Sequence, residues 1–341
     1  MKLPLKLTNE NNIYYNCNKC YSYNYFYNAI IGGRGIGKTT TFLIKGIQNV
    51  AKGEQFIYLR RYKPELKKFV TKDTLNKITE GVVYKGDGAG GYNFIVGNQV
   101  IGYGMLLSTS ISDKSVQYPD VTTIIFDEAI LKRGSTYRYL DDEIFVFLEF
   151  VSTIVRRRKN CKVILLGNNT DIFNPYFAYW NVPLFDNVYV NKERGIYCEM
   201  AKDTPALRKL EEDSPFYKLV QGTAYGDYHY ENKVLTKERV STKIKPKNCK
   251  ILCRAIMNGY TLNFYVYQED NKTRIYCEFR EKIISDNISY LLLANNKPNY
   301  LYVDMFRKKF RSFLFRLYFN KRMDFNSEKA GELFSWITDK I

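Results

Sequence analysis

The eight residues from Gly32 to Thr39 read GGRGIGKT, and they constrain the fold more than any other part of the chain. The pattern Gly-x4-Gly-Lys-Thr is typical of a phosphate-binding loop, whose backbone N–H groups surround phosphate oxygens. In such a loop Lys38 meets the β- and γ-phosphates, and the Thr39 hydroxyl ligates Mg²⁺. The sequence therefore predicts a site for a nucleoside triphosphate and Mg²⁺ between a strand and a helix.

The residues on both sides of the loop fit this prediction. Tyr25 to Ile31 form a short apolar run that ends in glycine, as in a buried strand that leads into a loop. Beyond the loop, apolar residues recur at helical spacing until Gly53. This context favours a nucleotide site over a fortuitous glycine-rich turn. The residues predicted to bind the nucleotide are Gly32, Gly33, Arg34, Gly35, Ile36, Gly37, Lys38, Thr39 and Thr40.

Strands and helices alternate through roughly the first 200 residues. Buried strands are predicted at residues 55–61, 121–126 and 161–166, and a long helix, capped by Asp141 or Asp142, runs through Val155. Such alternation predicts an α/β fold with a mostly parallel sheet covered by helices. We assign residues 1–199 to this domain.

Two consecutive carboxylates follow the predicted strand TTIIF. Asp127 can hold the Mg²⁺ shell, and Glu128 can orient and deprotonate a water molecule. Acidic residues also follow many strands simply because strands end at the surface. Together with the phosphate loop, however, this pair favours nucleotide hydrolysis.

Two further patterns bear on the choice between ATP and GTP. A signalling GTPase would carry Asp-x-x-Gly at the catalytic strand, but residue 130 is isoleucine. The stretch from Asn168 to Asp171 resembles the guanine-reading Asn-Lys-x-Asp but lacks its lysine. ATP is therefore favoured. Asn168 could sense the γ-phosphate from the end of its strand, or could simply form a turn.

Three arginines, Arg156, Arg157 and Arg158, follow the long helix. Charge on a transferring phosphoryl group is often stabilised by an arginine from a neighbouring subunit. The alternative is a solvated helix end, where cations complement the helix dipole.

The last third of the chain has a different pattern. Residues 200–232 contain prolines, glycines and many charges and are interpreted as a partly helical linker. Within residues 233–341, three strand-like runs predict an antiparallel meander, and residues 302–318 predict a basic amphipathic helix. The chain carries a net charge of +17, of which +10 lies between Tyr230 and Ile341 (22 Lys and Arg minus 12 Asp and Glu). This surplus predicts a nucleic-acid partner.

Seven cysteines without a paired framework fit a reduced, intracellular protein. Cys17 and Cys20 have the spacing of zinc ligands, and Cys249 and Cys253 could complete the set, but the second pair alternates with apolar residues as in a strand. We therefore do not expect a structural metal. No apolar run is long enough for a membrane span, so no membrane contact is expected.

Four segments together resemble the DNA-packaging ATPases, or encapsidation proteins, of small podoviruses related to phage phi29. The resemblance spans nearly the whole chain. It implies an additional-strand ATPase that forms a ring, usually of five subunits, at the portal vertex of an empty prohead in the host cytoplasm and pumps double-stranded DNA inward. The segments are GGRGIGKT, GEQFIYLRRYKPEL from Gly53 to Leu66, YPDVTTIIFDE from Tyr118 to Glu128, and NPYF from Asn174 to Phe177.

The same resemblance implies roles for individual positions. Arg156 matches a finger that acts on the neighbouring subunit, Lys114 matches a lysine that reaches across the subunit interface, and Arg34 lies inside the loop as in packaging terminases. The remaining positions agree with the roles derived above: Lys38 and Thr39 for phosphate and Mg²⁺, Asp127 for Mg²⁺, Glu128 as the base, and Asn168 at the coupling position.

For the last third of the chain, the resemblance implies a small α+β domain like RNase H or a resolvase that has lost its catalysis and binds nucleic acid. A live nuclease of this kind needs several carboxylates that converge on two metal ions about 4 Å apart. Asp270, Glu278, Asp286 and Asp304 show no such constellation in sequence, so no nuclease activity is expected. Relatives also engage a structural RNA on the prohead, which makes RNA a further candidate partner.

Two other functions remain open at this point. The chain could be another phosphate-loop ATPase that acts on nucleic acid, such as a helicase or a loader. It could also be a scaffold that binds ATP and nucleic acid without turnover, although Glu128 argues against this because a water-activating carboxylate would then be superfluous.

Overall fold

The structure is a computed structural model that describes residues 2–7, 13–109, 117–131, 137–140, 142–168, 174–180, 182, 185, 187–223, 226, 242–257, 260–291 and 301–340. The chain divides into two compact units. The first unit comprises Met1–Asp171 and Phe185–Leu235, and the second comprises Ile172–Leu184 and Thr236–Ile341. No helix in the described ranges is long and apolar enough to cross a membrane.

The first unit is built on a nine-stranded sheet in the order β3-β4-β5-β2-β6-β7-β1-β9-β8. Its elements are α1 (Asn18–Tyr23), β1 (Tyr27–Gly32), α2 (Lys38–Asn49), β2 (Gln55–Arg60), α3 (Lys63–Thr71), β3 (Val82–Gly86), β4 (Tyr92–Val96), β5 (Gln99–Leu106), β6 (Val121–Ile130), α4 (Glu143–Val155), β7 (Lys162–Asn168), β8 (Val188–Asn191), β9 (Ile196–Ala201), α6 (Pro205–Glu212) and α7 (Pro215–Val220).

The centre of this sheet is parallel, as the sequence predicts. β1 pairs in parallel with β7 and β9, while β6 pairs in parallel with β2 and β7. All six residues of β1 are buried, which explains why the strand is apolar apart from Asn28. β7 lies between the strand that precedes the phosphate loop and the strand that carries Asp127, so the additional-strand ATPase fold is confirmed.

The start of α4 differs from the prediction. Asp142 lies at the cap position, but its φ of 50° is left-handed and its side chain caps nothing. An N-cap side chain needs an extended backbone to reach the free N–H groups, so the capping prediction is wrong for Asp142. The Glu143 carboxylate instead accepts a 2.9 Å hydrogen bond from the N–H of Leu140, which precedes the helix. Asp141 lies outside the described residues.

The second unit contains a six-stranded mixed sheet in the order β14-β13-β10-β11-β12-β15. β10, β11 and β12 form the predicted antiparallel meander, and β13 pairs with β10 in parallel. This arrangement agrees with the predicted small α+β, RNase H-like domain. Its elements are α5 (Pro175–Trp180), β10 (Lys250–Met257), β11 (Tyr260–Glu269), β12 (Lys272–Arg280), β13 (Ser289–Leu291), β14 (Leu301–Tyr302), α8 (Val303–Phe319), β15 (Met323–Phe325) and α9 (Glu328–Lys340).

The predicted basic amphipathic helix is α8. Phe306, Phe310, Leu314 and Leu317 are buried in the core of the second unit, where they pack with one face of its sheet. The basic residues of this helix whose side chains the structure describes lie on the opposite, exposed side; they are Lys308, Lys309, Arg311 and Arg316.

Candidate nucleotide-binding site

The carboxyl ends of β1, β6 and β7 enclose a cavity of about 310 Å³ in the first unit. Ligands of open α/β sheets bind at this edge of the strands. The cavity brings together most of the residues predicted from the sequence. Its lining consists of Arg34, Gly35, Ile36, Gly37, Lys38, Thr39, Thr40, Asp127, Glu128, Leu166, Gly167 and Asn168.

The loop between β1 and α2 adopts a backbone that requires glycine. Gly35 and Gly37 have φ angles of 80° and 90°, in the left-handed region. A Cβ atom at Gly37 would also lie 2.8 Å from the Cβ of Tyr14, so a side chain there would clash. The glycines therefore keep the loop backbone open for a close approach of phosphate.

Lys38 is buried within this loop. Its ammonium group donates hydrogen bonds to the carbonyl oxygens of Gly32, at 3.0 Å, and Gly33, at 2.5 Å. Burial lowers the pKa of Lys38 to about 8, even though Asp127 and Asp203 favour the charged form. An anionic phosphate in the cavity would supply the compensating charge that the loop carbonyls do not.

The loop and the catalytic strand meet at Thr39 and Asp127. The Thr39 hydroxyl donates a 2.9 Å hydrogen bond to Oδ1 of Asp127. A hydroxyl and a carboxylate side by side are the hard oxygen ligands that Mg²⁺ prefers when it also binds phosphates. The residues present therefore fit the predicted ion.

Glu128 stands at the rim of the cavity with an unusual backbone. Its φ is 54°, and its side chain is 48% exposed. The pairing of β6 with β7 shifts register between Phe126 and Ile130, so the strand is irregular where the two acidic residues lie. The irregularity leaves the Glu128 side chain at the edge of the cavity, where water can reach it.

Arg60, at the end of β2, contacts both acidic residues, and sequence analysis assigned it no role. Its guanidinium lies 3.1 Å from Oδ2 of Asp127, 2.8 Å from Oε2 of Glu128 and 2.9 Å from Oε1 of Glu65. The Tyr58 hydroxyl also donates a 2.8 Å hydrogen bond to Asp127. The two consecutive arginines in GEQFIYLRRYKPEL could have identified Arg60 from the sequence. They lie at the end of β2, and β2 ends at the same edge of the sheet as β6, which carries the acidic residues.

Arg61 supports the same region from within the core. Its guanidinium forms two 2.7 Å hydrogen bonds to the Glu143 carboxylate, and it also donates to the carbonyl oxygens of Glu128 and Ala129. Both charged side chains are almost fully buried. Arg61 therefore holds the backbone that carries Glu128, whereas Arg60 holds its side chain.

Of the other predicted residues, Arg34 and Asn168 line the cavity, and Asn168 is the last residue of β7. Lys114 and residues 169–171 lie outside the described residues, so their roles stay predictions.

Arg156 lies at the other end of the sheet. It follows α4 directly, and its φ is 51°. Two residues later, the Arg158 guanidinium donates hydrogen bonds to the carbonyl oxygens of Pro119 and Val121 at the start of β6. Strands rise about 3.3 Å per residue, so Val121 is about 20 Å from Asp127. Arg156 therefore does not face the cavity of its own chain.

The second unit places arginines beside its acidic residues. Arg280 lies 2.6 Å from Glu278, Arg254 lies 2.8 Å from Asp286, and Asp270 belongs to an exposed turn. The side chain of Asp304 lies outside the described residues. Across the described part of both units, no group of three or more His, Cys, Asp or Glu side chains could hold a metal ion.

Known proteins show clear similarity to this chain. The family described as Podovirus DNA encapsidation protein (Gp16) matches residues 9–328. The DNA packaging protein of Bacillus phage phi29 is 30% identical over 306 residues, which cover 85% of this chain and 89% of that protein. The DNA packaging protein of Bacillus phage B103 is 34% identical over 246 residues, or 72% of this chain and 75% of that protein.

A solved structure is similar over almost the same extent. A chain of the bacteriophage Phi-29 viral genome packaging motor assembly is 27% identical, with a TM-score of 0.59. The alignment covers 95% of this chain and 99% of that chain.

Proposed function

The chain belongs to the podovirus DNA encapsidation protein family, and from this premise we propose that it is a motor subunit that hydrolyses ATP to drive double-stranded DNA into a preformed prohead. One observation carries the proposal of hydrolysis. The phosphate-loop lysine, the Thr39–Asp127 oxygen pair and the Glu128 carboxylate all line one cavity. A site that only bound nucleotide would need the first two features but not the third.

Nucleotide binding falls to the loop between β1 and α2. Its backbone N–H groups and the start of α2 favour the phosphate chain, and Lys38 changes partners from loop carbonyls to the β- and γ-phosphates. Thr39 and Asp127 would hold Mg²⁺, which when bound neutralises part of the phosphate charge. Tyr58 and Arg60 orient Asp127 through its second oxygen.

Hydrolysis falls to Glu128. A carboxylate at the rim of the cavity accepts a proton from water, which makes the water a better nucleophile toward the γ-phosphate. Arg60 binds Oε2 of Glu128, so the other carboxylate oxygen is the one available to the water without breaking that contact. Asn168, at the end of the neighbouring strand, can contact the γ-phosphate or the water from the other side.

The position of Arg156 supports a ring. It lies at the opposite end of β6 from the cavity of its own chain, so a role in hydrolysis requires the site of another subunit. The side chains of Arg156 and Arg157 are exposed, and neither makes a hydrogen bond or an ion pair with the part of the chain that the structure describes. We propose that Arg156 completes the site of the next subunit in a homo-oligomeric ring of five subunits at the portal of the prohead.

DNA contact falls mainly to the basic second unit. The exposed side of α8 presents Lys308, Lys309, Arg311 and Arg316 at helical spacing. A motor that handles any genome segment should contact phosphates rather than base edges, so affinity should be independent of sequence and fall with salt. The same chemistry would accept a structural RNA of the prohead as a further partner.

Two assays test the proposal against its rivals. Purified protein should hydrolyse ATP, faster with proheads and DNA, and should protect DNA from added nuclease by moving it into proheads. Glu128→Gln should bind ATP and abolish both activities. A helicase would separate strands instead, and a scaffold would support DNA binding without any turnover that Glu128→Gln removes.

A further inference from the structure

Each end of helix α4 is linked to β6 through the hydrogen bonds of one arginine. This arginine is the buried Arg61 at the N-terminal end and the half-buried Arg158 at the C-terminal end. The N-terminal end of α4 lies beside the carboxyl end of β6, where Glu128 is. Its C-terminal end, which carries Arg156, lies beside the start of the same strand. The helix thus spans the distance between a subunit's own cavity and its proposed finger.

The fastening at the cavity end is the Arg61–Glu143 pair. Glu143 is the first residue of α4, and its two carboxylate oxygens each accept a 2.7 Å hydrogen bond from the Arg61 guanidinium. The same guanidinium donates to the carbonyl oxygens of Glu128, at 3.1 Å, and Ala129, at 2.7 Å. A displacement of the Glu128 backbone therefore displaces Arg61 and, through two parallel hydrogen bonds, the start of α4.

The fastening at the finger end is Arg158. Its guanidinium donates hydrogen bonds to the carbonyl oxygens of Val121, at 2.5 Å, Pro119, at 2.7 Å, and Ile154, at 2.6 Å. Ile154 belongs to the final turn of α4, Val121 is the first residue of β6, and Pro119 lies two residues before that strand. Arg158 is therefore a clamp rather than a second finger, and it fixes the backbone two residues from Arg156.

Between the two ends, α4 is packed as a rigid body. Its 13 residues span about 20 Å at 1.5 Å per residue. Phe147, in the middle of the helix, stacks on Phe126 of β6 with ring centroids 5.8 Å apart. Close-packed interiors transmit displacements rather than absorb them, so the two ends of this helix move together.

We propose that α4 acts as a strut, and that the Arg61–Glu143 pair is a positioning element that relays the state of Glu128 in one subunit to the Arg156 finger it offers to the next. This inference rests on the proposed trans role of Arg156. It assigns the coupling of neighbouring ATP sites to two buried residues, neither of which lines the cavity.

Mixed rings test the relay separately from the catalytic site. The parent mixture contains two kinds of subunit. One carries Lys38→Ala, so its own site is inactive, but it still offers Arg156 to its neighbour. The other carries Arg156→Ala and has an intact site that receives this arginine. Because the donor's own site is inactive, recovery of ATP hydrolysis measures how well α4 positions the donated Arg156, which is the step that the relay requires. The test variants carry Glu143→Gln or Arg158→Met on the Lys38→Ala donor, and the control donor carries Glu149→Gln on the exposed side of α4.

The parent mixture and the Glu149→Gln control should recover hydrolysis, and both test donors should recover at least about fivefold less. In an otherwise wild-type chain, Arg158→Met should bind ATP as tightly as wild type does, since it leaves the cavity end of α4 untouched. Equal recovery with either test donor, in rings that assemble normally, would overturn the relay. If Glu143→Gln fails to fold, Arg158→Met decides the question.

Failure of the proposed function gives a different result. If the parent mixture itself recovers nothing although the rings assemble, Arg156 does not act in trans, and the relay falls with it. If the parent mixture recovers hydrolysis and the test donors support the same recovery, the trans role of Arg156 is retained and only the relay is rejected.

Discussion

The guanidinium of Arg60 donates a 2.8 Å hydrogen bond to the carboxylate of Glu128, while its other terminal nitrogen lies 3.1 Å from Asp127. Burial alone would lower the pKa of Arg60, but Tyr58 and the carboxylates of Asp127 and Glu128 raise it overall. The arginine therefore stays charged and holds both acidic residues of the catalytic strand in place.

Replacement of Arg60 by methionine should destabilise the first unit and reduce turnover. The change leaves the buried Glu65 carboxylate without its cation, and breaking a buried ion pair from one side costs about 3–5 kcal/mol. Urea unfolding followed by circular dichroism measures the first effect, and steady-state ATP hydrolysis measures the second. Lys68→Met, on the exposed side of α3, removes the same charge and should change neither. Equal stability of Arg60→Met and wild type would contradict the assigned contacts.

Replacement of Glu128 by glutamine should separate binding from hydrolysis. Glutamine keeps the size of the side chain and can still accept a hydrogen bond from Arg60, but it cannot take a proton from water. General-base catalysis contributes about 10²–10⁴-fold, so kcat should fall by that factor while ATP affinity changes little. Single-turnover hydrolysis and fluorescent-nucleotide titration measure the two quantities. A variant that keeps more than about a tenth of the wild-type rate would rule out Glu128 as the base.

The fold was largely accessible from the sequence because its signals are local. Buried parallel strands read as unbroken apolar runs, and the loop glycines report a backbone that no other residue adopts freely. Asp127 and Asn168 could be placed at one site because the carboxyl ends of neighbouring parallel strands meet at the same edge. Each of these inferences needed only a short stretch of chain.

The residues that were missed depend on contacts between distant parts of the chain. Arg60 is 68 positions from Glu128, and Arg61 is 82 positions from Glu143, so no local pattern joins them. The prediction that Asp142 caps α4 failed for the same reason. Arg61 binds the carboxylate of the next residue, Glu143, and Asp142 has a left-handed backbone. Burial of two arginines next to each other could be recognised only once β2 and β6 were known to be neighbours.

The pH dependence of stability should reveal Glu211 in α6. Burial of its carboxyl, with a smaller contribution from Asp203, raises the pKa of Glu211 to about 7, and its buried Oε2 atom has no hydrogen-bond partner among the described residues. Its unfolded-state pKa is about 4.3, so its contribution to stability is complete below that pH and is lost as the pH rises through 7.

Glu211→Gln should therefore be more stable than wild type at pH 8, by about 1 kcal/mol or less because solvent screens a partly exposed group, and equally stable at pH 4.5. Thermal unfolding at the two pH values measures the difference. Glu212→Gln is the matched control and should show no such gain, because the Glu212 carboxylate forms an exposed ion pair with Arg208. A gain that persists at pH 4.5 would contradict a titrating Glu211.

DNA affinity should depend on the exposed side of α8. Each phosphate contact to duplex DNA contributes about 0.9 to the slope of log affinity against log salt concentration, so Lys308→Ala with Lys309→Ala should reduce the slope by up to about twice that value. The loss should be the same for unrelated DNA sequences. Fluorescence anisotropy over a salt series measures both, and Lys192→Ala with Lys209→Ala is a control of equal charge change in the first unit. An unchanged slope would exclude these two lysines from the DNA contact.

The second unit should not cut DNA, because the protein already binds the buried carboxylates of Glu278 and Asp324 with arginines. Burial would raise the pKa of Glu278, but hydrogen bonds from Arg280, Asn263 and Tyr265 hold it below its usual value, so the group is a well-bound carboxylate rather than a vacant metal ligand. Asp324 is bound in the same way by Arg274 at 2.8 Å. A divalent cation would have to displace an arginine at each of these positions, and a two-metal nuclease needs several such positions at once.

Incubation of supercoiled plasmid with purified protein and Mg²⁺ or Mn²⁺ tests this expectation. The wild type should nick no more plasmid than Glu278→Ala does. Metal-dependent nicking by the wild type that Glu278→Ala or Asp304→Asn abolishes would show that the carboxylates can be freed to bind metal.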